Sequence, residues 1–253
     1  MKEMGLCPND TVTVHTSLRA VGPVEGGADT VIDAFCEYLS EGLFLVPTHT
    51  WASVGRSNPV YDVRTTPACI GALPRTAAFR KDGYRSLHPT HSLWGHGKNA
   101  QEYLRVEELC LTPCPPGSAY GRLAEVGAKI LLIGVGNDKN TFIHAVEEMA
   151  DIPNRFTPEP LDLTVIDHGG ASHAVTMHKH SCTETPDVSR YFVNFEEALI
   201  ACGAQTVGRL GDAEVRIVDA ARCRDVILRI LSRADRDLCT SYLEIPKEFY
   251  SEQ

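Results

Sequence analysis

Lys129-Ile-Leu-Leu-Ile-Gly-Val-Gly136, followed by Asn140-Thr-Phe-Ile-His144-Ala-Val-Glu147-Glu148, is the stretch whose reading sets the fold. Its uninterrupted apolar run suits a strand buried on both faces. After a glycine-bearing turn, the apolar residues Phe142, Ile143 and Val146 recur at helical spacing. Strand, turn and helix in that order point to an α/β protein. Within the helix, His144 and Glu147 are three residues apart and share a face, so one cleft can receive both imidazole and carboxylate. Imidazole titrates near neutrality and exchanges protons at working pH. On this segment alone, a capped surface helix without chemistry is an equal reading.

Working outward, Thr11-Val-Thr-Val-His15 alternates like a strand, and Val31, Ile32, Phe35 and Leu39 mark a helix over 28–39. Gly42-Leu-Phe-Leu-Val-Pro47 reads as a second buried strand, and residues 50–70 as an irregular excursion. Helices are expected near 71–80, 98–108, 118–126, 195–203 and 220–232, and a strand at 213–218. The alternating runs 161–166 and 172–178 flank Asp167-His-Gly-Gly170, a hairpin signal. The expected architecture is a mixed-sheet α/β core carrying an inserted antiparallel hairpin, as one domain over 1–253.

The 253 residues are 43% hydrophobic and 23% charged, as in an ordinary water-soluble globule. The net charge of −9 argues against nucleic acid, whose phosphates demand Lys and Arg, and suits a cationic small molecule. No apolar run is long enough to span a bilayer and no secretory leader is seen, so neither a membrane nor export is expected; the location read is cytoplasmic. Nine scattered cysteines then read as reduced thiols, several of them buried. A homodimer is compatible with the sequence without being required by it.

Three motifs carry candidate chemistry. His15-Thr16-Ser17-Leu18-Arg19 leaves a strand end, where hydroxyls and amides can hold a phosphate; a polar turn is the alternative. No GxGxxG or GxxxxGK[ST] is present. In Ser86-Leu-His88-Pro-Thr-His91-Ser92 the proline forbids a regular helix, leaving a catalytic loop or one packed by hydrogen-bonded histidines. His178, His180 and Cys182 would face one side of an extended strand, a row that zinc accepts. That row supports a zinc-dependent hydrolase as an alternative function, although no metal is assigned in the preferred reading.

Taken in order, Met4–Asp10, Val14-His-Thr-Ser-Leu-Arg19, Arg85–Ser92, Gly117-Ser-Ala-Tyr-Gly-Arg-Leu123, Lys129–Gly136, Asn140–His144, Asp151-Ile-Pro-Asn154 and Val207–Glu214 resemble the aminoglycoside 3-N-acetyltransferase family. The resemblance implies an α/β/α-type domain, not the GNAT fold, with acetyl-CoA as co-substrate and antibiotic resistance as the associated role. It places the catalytic histidine at His144, with Glu147 beside it. It places cofactor contacts at Thr16, Ser17, Leu18 and Arg19, at Ser86, His88, His91 and Ser92, and at Ser118 and Tyr120. Asp151, His178 and Glu184 fall toward the amine substrate. The better-known resistance enzymes carry a later acidic partner for the histidine, where this chain reads Thr176-Met-His-Lys-His-Ser-Cys-Thr-Glu184. A binding protein that kept the fold without turnover is a third reading.

Overall fold

Lys129–Ile133 is a strand whose last four residues are buried, and it runs parallel to Thr11–Thr16 from Val12↔Lys129 to Thr16↔Ile133. The computed structural model describes residues 1–251. In chain order its elements are β1 (Thr11–Thr16), α1 (Leu18–Val21), α2 (Gly27–Tyr38), β2 (Leu43–Pro47), β3 (Val60–Asp62), α3 (Ala72–Ala77), β4 (Tyr84–Arg85), β5 (Leu93–Gly97) and α4 (Ala100–Arg105). There follow β6 (Lys129–Ile133), α5 (Phe142–Met149), β7 (Leu161–Ile166), β8 (Ser172–Met177), α6 (Glu196–Ala201), β9 (Gln205–Leu210), β10 (Ala213–Asp219) and α7 (Ala220–Leu231).

Seven strands form one mixed sheet in the order β4-β5-β2-β1-β6-β10-β9. β1 pairs in parallel with both β2 and β6, and every other neighbouring pair in this sheet is antiparallel. The period of two divides each central strand between two cores. Leu45, Ile130 and Leu132 pack with α4, α5, α6 and α7 on one face. Phe44, Val12, Val14, Leu131 and Ile133 pack with α2 and α3 on the other. A second sheet, β3-β7-β8, has a small core of its own around Tyr61, Leu163, Val165 and Met177. Here β7 and β8 are antiparallel, while β3 joins β7 in parallel from inside the stretch read as irregular.

The sequence signal was coarser than the result at several edges. Residues 118–126 contain only a 3-10 turn at Gly121–Leu123, and the expected helix at 98–108 tightens to 3-10 geometry after Arg105. The edge strand β9 is absent from the sequence reading, because only half of its pattern is apolar and its burial is shallow. Among the described residues, no helix is long and apolar enough to cross a membrane. All nine cysteines are free, and Cys110, Cys114, Cys223 and Cys239 are buried.

At the end of β6 the backbone turns through Gly134 with φ 63°, and a Cβ there would lie 2.3 Å from that of Ala20. Only glycine lets this strand exit press against α1.

Glu107 sits in the 3-10 helix Val106–Leu109 with 1% of its surface exposed. Its Oε1 accepts the Ala119 N–H at 2.8 Å, while Oε2 has no partner among the described residues. Burial raises this carboxyl from 4.5 to about 8. Between those values the folded chain binds a proton that the unfolded chain has lost, so stability falls as pH rises through the window. Glu107→Gln should flatten that slope, gaining on the order of 2 kcal/mol relative to wild type between about pH 5 and about pH 8. Urea denaturation at the two pH values reads the difference.

Candidate active site

The parallel strands β1, β2 and β6 all point their carboxyl ends the same way, and a cleft of 580 Å³ opens beyond them. In open α/β sheets this is where ligands bind, and the volume suits a small molecule. Thr16 and Val135 come from the exits of β1 and β6, and His49 from the loop after β2. Asn140, Thr141 and His144 come from the start of α5. The opposite wall is the segment after β8, with Lys179, His180 and Cys182, and then Asp187 to Ser189.

His144 Nδ1 lies 3.1 Å from Glu147 Oε2, the contact that helical spacing anticipates. A carboxylate accepts only, so Nδ1 carries the proton and Nε2 keeps its lone pair. The His144 side chain is 13% exposed in the cleft and Glu147 is 2% exposed behind it. Glu147 Oε1 accepts from Arg155 Nε at 2.7 Å, and Arg155 Nη2 reaches Asp237 at 2.8 Å. Burial on its own would raise the Glu147 carboxyl, but His144 and Arg155 outweigh it and hold it below its usual value. Asp151 and Asn154 adopt positive φ, 51° and 59°, and so fold the chain sharply enough after α5 to return Arg155 against it.

A second imidazole lies against the first. The rings of His144 and His180 stack with centroids 4.1 Å apart, and Phe192 packs edge-on to His144 at 4.7 Å. His180 Nε2 is 3.1 Å from Glu148 Oε1, which also accepts the Cys114 N–H, while Glu148 Oε2 accepts from the Thr112 hydroxyl. Cys114, Glu148 and His180 bring ligand-type atoms within 4.8 Å of one another, yet both oxygens of Glu148 already accept hydrogen bonds from within the chain. Further in, His49 contacts His91 at 4.6 Å between centroids, and its Nε2 meets the Tyr120 hydroxyl at 2.6 Å. Burial holds His15 near pKa 4 and drives His49, His91 and His180 well below the ordinary imidazole value. These four rings are neutral bases at neutral pH.

The residues singled out from the sequence divide into three groups. His144, Thr16 and His91 line the cleft, and Glu147 stands directly behind His144. Ser86, His88, Ser92, Ser118 and Tyr120 form a buried layer beneath. There Ser86 caps the Leu93 N–H, Ser92 binds the Thr48 carbonyl and Ser118 accepts from Gly121. His88 Nδ1 accepts from the backbone of Thr90 and His91, and its Nε2 faces the Thr112 carbonyl at 3.1 Å. Ser17 sits at the N-cap position of α1 without a side-chain capping hydrogen bond, with Leu18 and Arg19 following in that helix and Arg19 exposed. Asp151 and Glu184 are exposed outside the cleft lining, and His178 Nδ1 is turned to the Thr157 carbonyl.

The row His178, His180 and Cys182 does not form. β8 ends at Met177, and beyond it the chain makes only an isolated bridge, Phe156↔His180, so the three side chains go to separate partners. The cleft lining also includes His15 and His180, which the sequence offers only in the strand-end motif and the zinc row, and His49 and Lys179, which it does not single out. For His49 the available signal was its place two residues past the proline that ends a buried strand.

A family model described as aminoglycoside 3-N-acetyltransferase matches residues 13–232. The chain belongs to this family. It is an acyltransferase of that kind. Aminoglycoside N(3)-acetyltransferase IV of Salmonella is 28% identical over 236 residues, covering 92% of this chain and 84% of the relative. A solved structure of AAC-IIIb with CoASH superposes with a TM-score of 0.75 at 25% identity, over 88% of this chain and 90% of that one. A mutant of AAC(3)-IVa in complex with a gentamicin gives a TM-score of 0.76 at 26% identity, over 92% of this chain and 85% of that one.

Arg155 is 3% exposed and anchors two carboxylates. Arg155→Ala strands the buried Glu147 carboxylate and should cost about 3–5 kcal/mol in denaturant unfolding. Glu147 and Asp237 are both held below their ordinary values of 4.5 and 3.8. Their contribution is therefore complete above those values and lost on acidification through the folded ones. The wild-type advantage over Arg155→Ala should shrink in acid.

Proposed function

We propose that this chain transfers an acetyl group from acetyl-CoA to an amine of an aminoglycoside or a related amine, working as one domain with His144 as general base. Family membership supports the reaction class, and the CoASH complex of AAC-IIIb and the gentamicin complex of AAC(3)-IVa support the two substrates. The observation that carries the residue assignment is the His144–Glu147 contact, which commits Nδ1 and leaves Nε2 as the free base in the cleft.

Both substrates are held together and transfer is direct. The acceptor arrives as an ammonium ion and cannot attack until a proton leaves. His144 Nε2 takes that proton, and the nitrogen lone pair forms a bond to the acetyl carbonyl carbon. The imidazolium so formed is stabilised by Glu147, whose own position is set by Arg155. Negative charge then gathers on the carbonyl oxygen. The Ser17 N–H is already donated to the Ile133 carbonyl, but Thr16 Oγ1 and His15 Nε2 are buried without partners among the described residues. We assign stabilisation of the oxyanion to these two groups, a role worth about 2.7–4 kcal/mol for one good donor. Collapse of the tetrahedral intermediate breaks the C–S bond, the leaving thiolate takes the first proton from His144, and the freed imidazole accepts the second proton from the amide nitrogen and passes it to solvent.

His144→Ala should lower kcat by about 100- to 10,000-fold with CoA affinity unchanged by calorimetry. An undiminished rate rejects His144 as the base. Binding of acetyl-CoA without thiol release from any amine would favour a non-catalytic binding protein.

A further inference from the structure

We propose that Cys36, Asp82 and His96 bind a borderline-soft divalent cation of the zinc type, outside the acetyl-transfer cleft. None of the three lines that cleft, so the inference is independent of the reaction assigned to it. Three segments distant in sequence supply the ligands: Cys36 from α2, Asp82 from the bend before β4, and His96 from β5. The Cys36 thiol sulfur, one carboxylate oxygen of Asp82 and one ring nitrogen of His96 lie within 4.8 Å of one another. Tetrahedral zinc with bonds of about 2.0–2.3 Å sets its ligand atoms about 3.3–3.8 Å apart. Side-chain shifts of at most about 1.5 Å therefore close the set.

Thiolate, imidazole and carboxylate together suit zinc, whereas magnesium and calcium take oxygen ligands. His96 Nδ1 lies 2.6 Å from the Asp82 carbonyl. That oxygen only accepts, so Nδ1 carries the proton and Nε2 keeps the lone pair that a metal needs. Metal-bound imidazoles are fixed in this way by an outer carbonyl. Asp82 and His96 also border an open hollow at the surface, which gives an ion a path from solvent.

The charge at this place is unbalanced. Arg80 alone binds Asp29, Asp33 and Asp82, three carboxylates on one guanidinium. Ceding Asp82 to a metal leaves Arg80 its pairs with Asp29 and Asp33. Lys81 and Arg105 at the hollow are opposed by Glu102 and Glu108. The cluster of Cys114, Glu148 and His180 differs, because there the carboxylate and the imidazole are already bonded to each other in the interior.

Burial and the Asp82 carboxylate, against the pull of Arg80, push the Cys36 thiol up to about 11. At neutral pH the ion must therefore displace a proton. The S–H bond breaks, the proton goes to solvent, and the sulfur pair forms the bond to the metal. A divalent ion with one thiolate, one carboxylate and one neutral imidazole carries no net charge, and water fills the fourth position. The bound ion ties α2 to the sheet edge made by β4 and β5.

The test is titration of the chelator-treated full chain with zinc chloride by calorimetry and with cobalt chloride by absorption spectroscopy. The expected result is one ion per chain, with a Kd of about 1 μM or tighter at about pH 7.5. Affinity should rise up to about tenfold per pH unit between about pH 6.5 and about pH 8, as the thiol proton becomes easier to displace. Cobalt should give a near-ultraviolet thiolate-to-metal band, and zinc should raise the Tm. Cys36→Ser should abolish the band and weaken zinc binding at least about 100-fold, while His96→Gln and Asp82→Asn, which keep the thiol, should each weaken it about tenfold or more. Cys114→Ser should change neither readout. Absence of saturable binding below about 100 μM, or binding that survives Cys36→Ser or is lost in Cys114→Ser, overturns the assignment.

Discussion

The guanidinium of Arg155, buried between Glu147 and Asp237, is the constraint on which the geometry of the proposed base depends. A carboxylate as deeply buried as Glu147 is costly unless a cation and hydrogen bonds accompany it. Arg155 supplies the cation from outside the helix, which leaves the other carboxylate oxygen free to fix the imidazole of His144. The same residue ties α5 to the chain beyond α7 through Asp237. The orientation of one ring is thereby linked to the seating of the C-terminal segment. Packing sets the remaining degrees of freedom: Phe192 closes one edge of the ring and His180 covers a face.

The sheet contributes position more than chemistry. Three parallel strands end near one level, and Thr16 and Val135 at the exits of β1 and β6 both line the cleft beyond them. The two cores on either face of these strands reach the cleft itself, since Val14 belongs to one and Val188 to the other. Among the described residues, buried polar atoms of His15, Thr16 and Asn140, all three in the cleft lining, have no hydrogen-bond partner.

Much of this was legible in the order of residues. The strand at 129–133, the helix carrying His144 and the pairing of His144 with Glu147 all follow from local periodicity, because each contact spans at most one helical turn. Of the residues that the family resemblance named, His144, Thr16 and His91 line the cleft. What periodicity could not supply was long-range partnership. Arg155 lies 82 residues from Asp237, and His180 lies 32 from Glu148. His180 in particular was read along a strand that in fact stops three residues earlier. Likewise Ser86, His88 and Ser92 look reactive as letters, whereas their polar atoms are spent on the backbone of their own loop and its neighbours.

The tether from Lys179 to the carbonyls of Trp51 and Val54 joins two loops that wall the cleft, and neither belongs to the main sheet. The proposed base and its carboxylate stand on a helix locked by a buried ion pair, while the walls of the cleft hang on connections of this kind. Such a division separates what must stay fixed from what can vary. Substitutions at the tether can reshape the wall without touching the base, so descendants of this chain have a short mutational route to new acceptors that leaves the inherited chemistry in place.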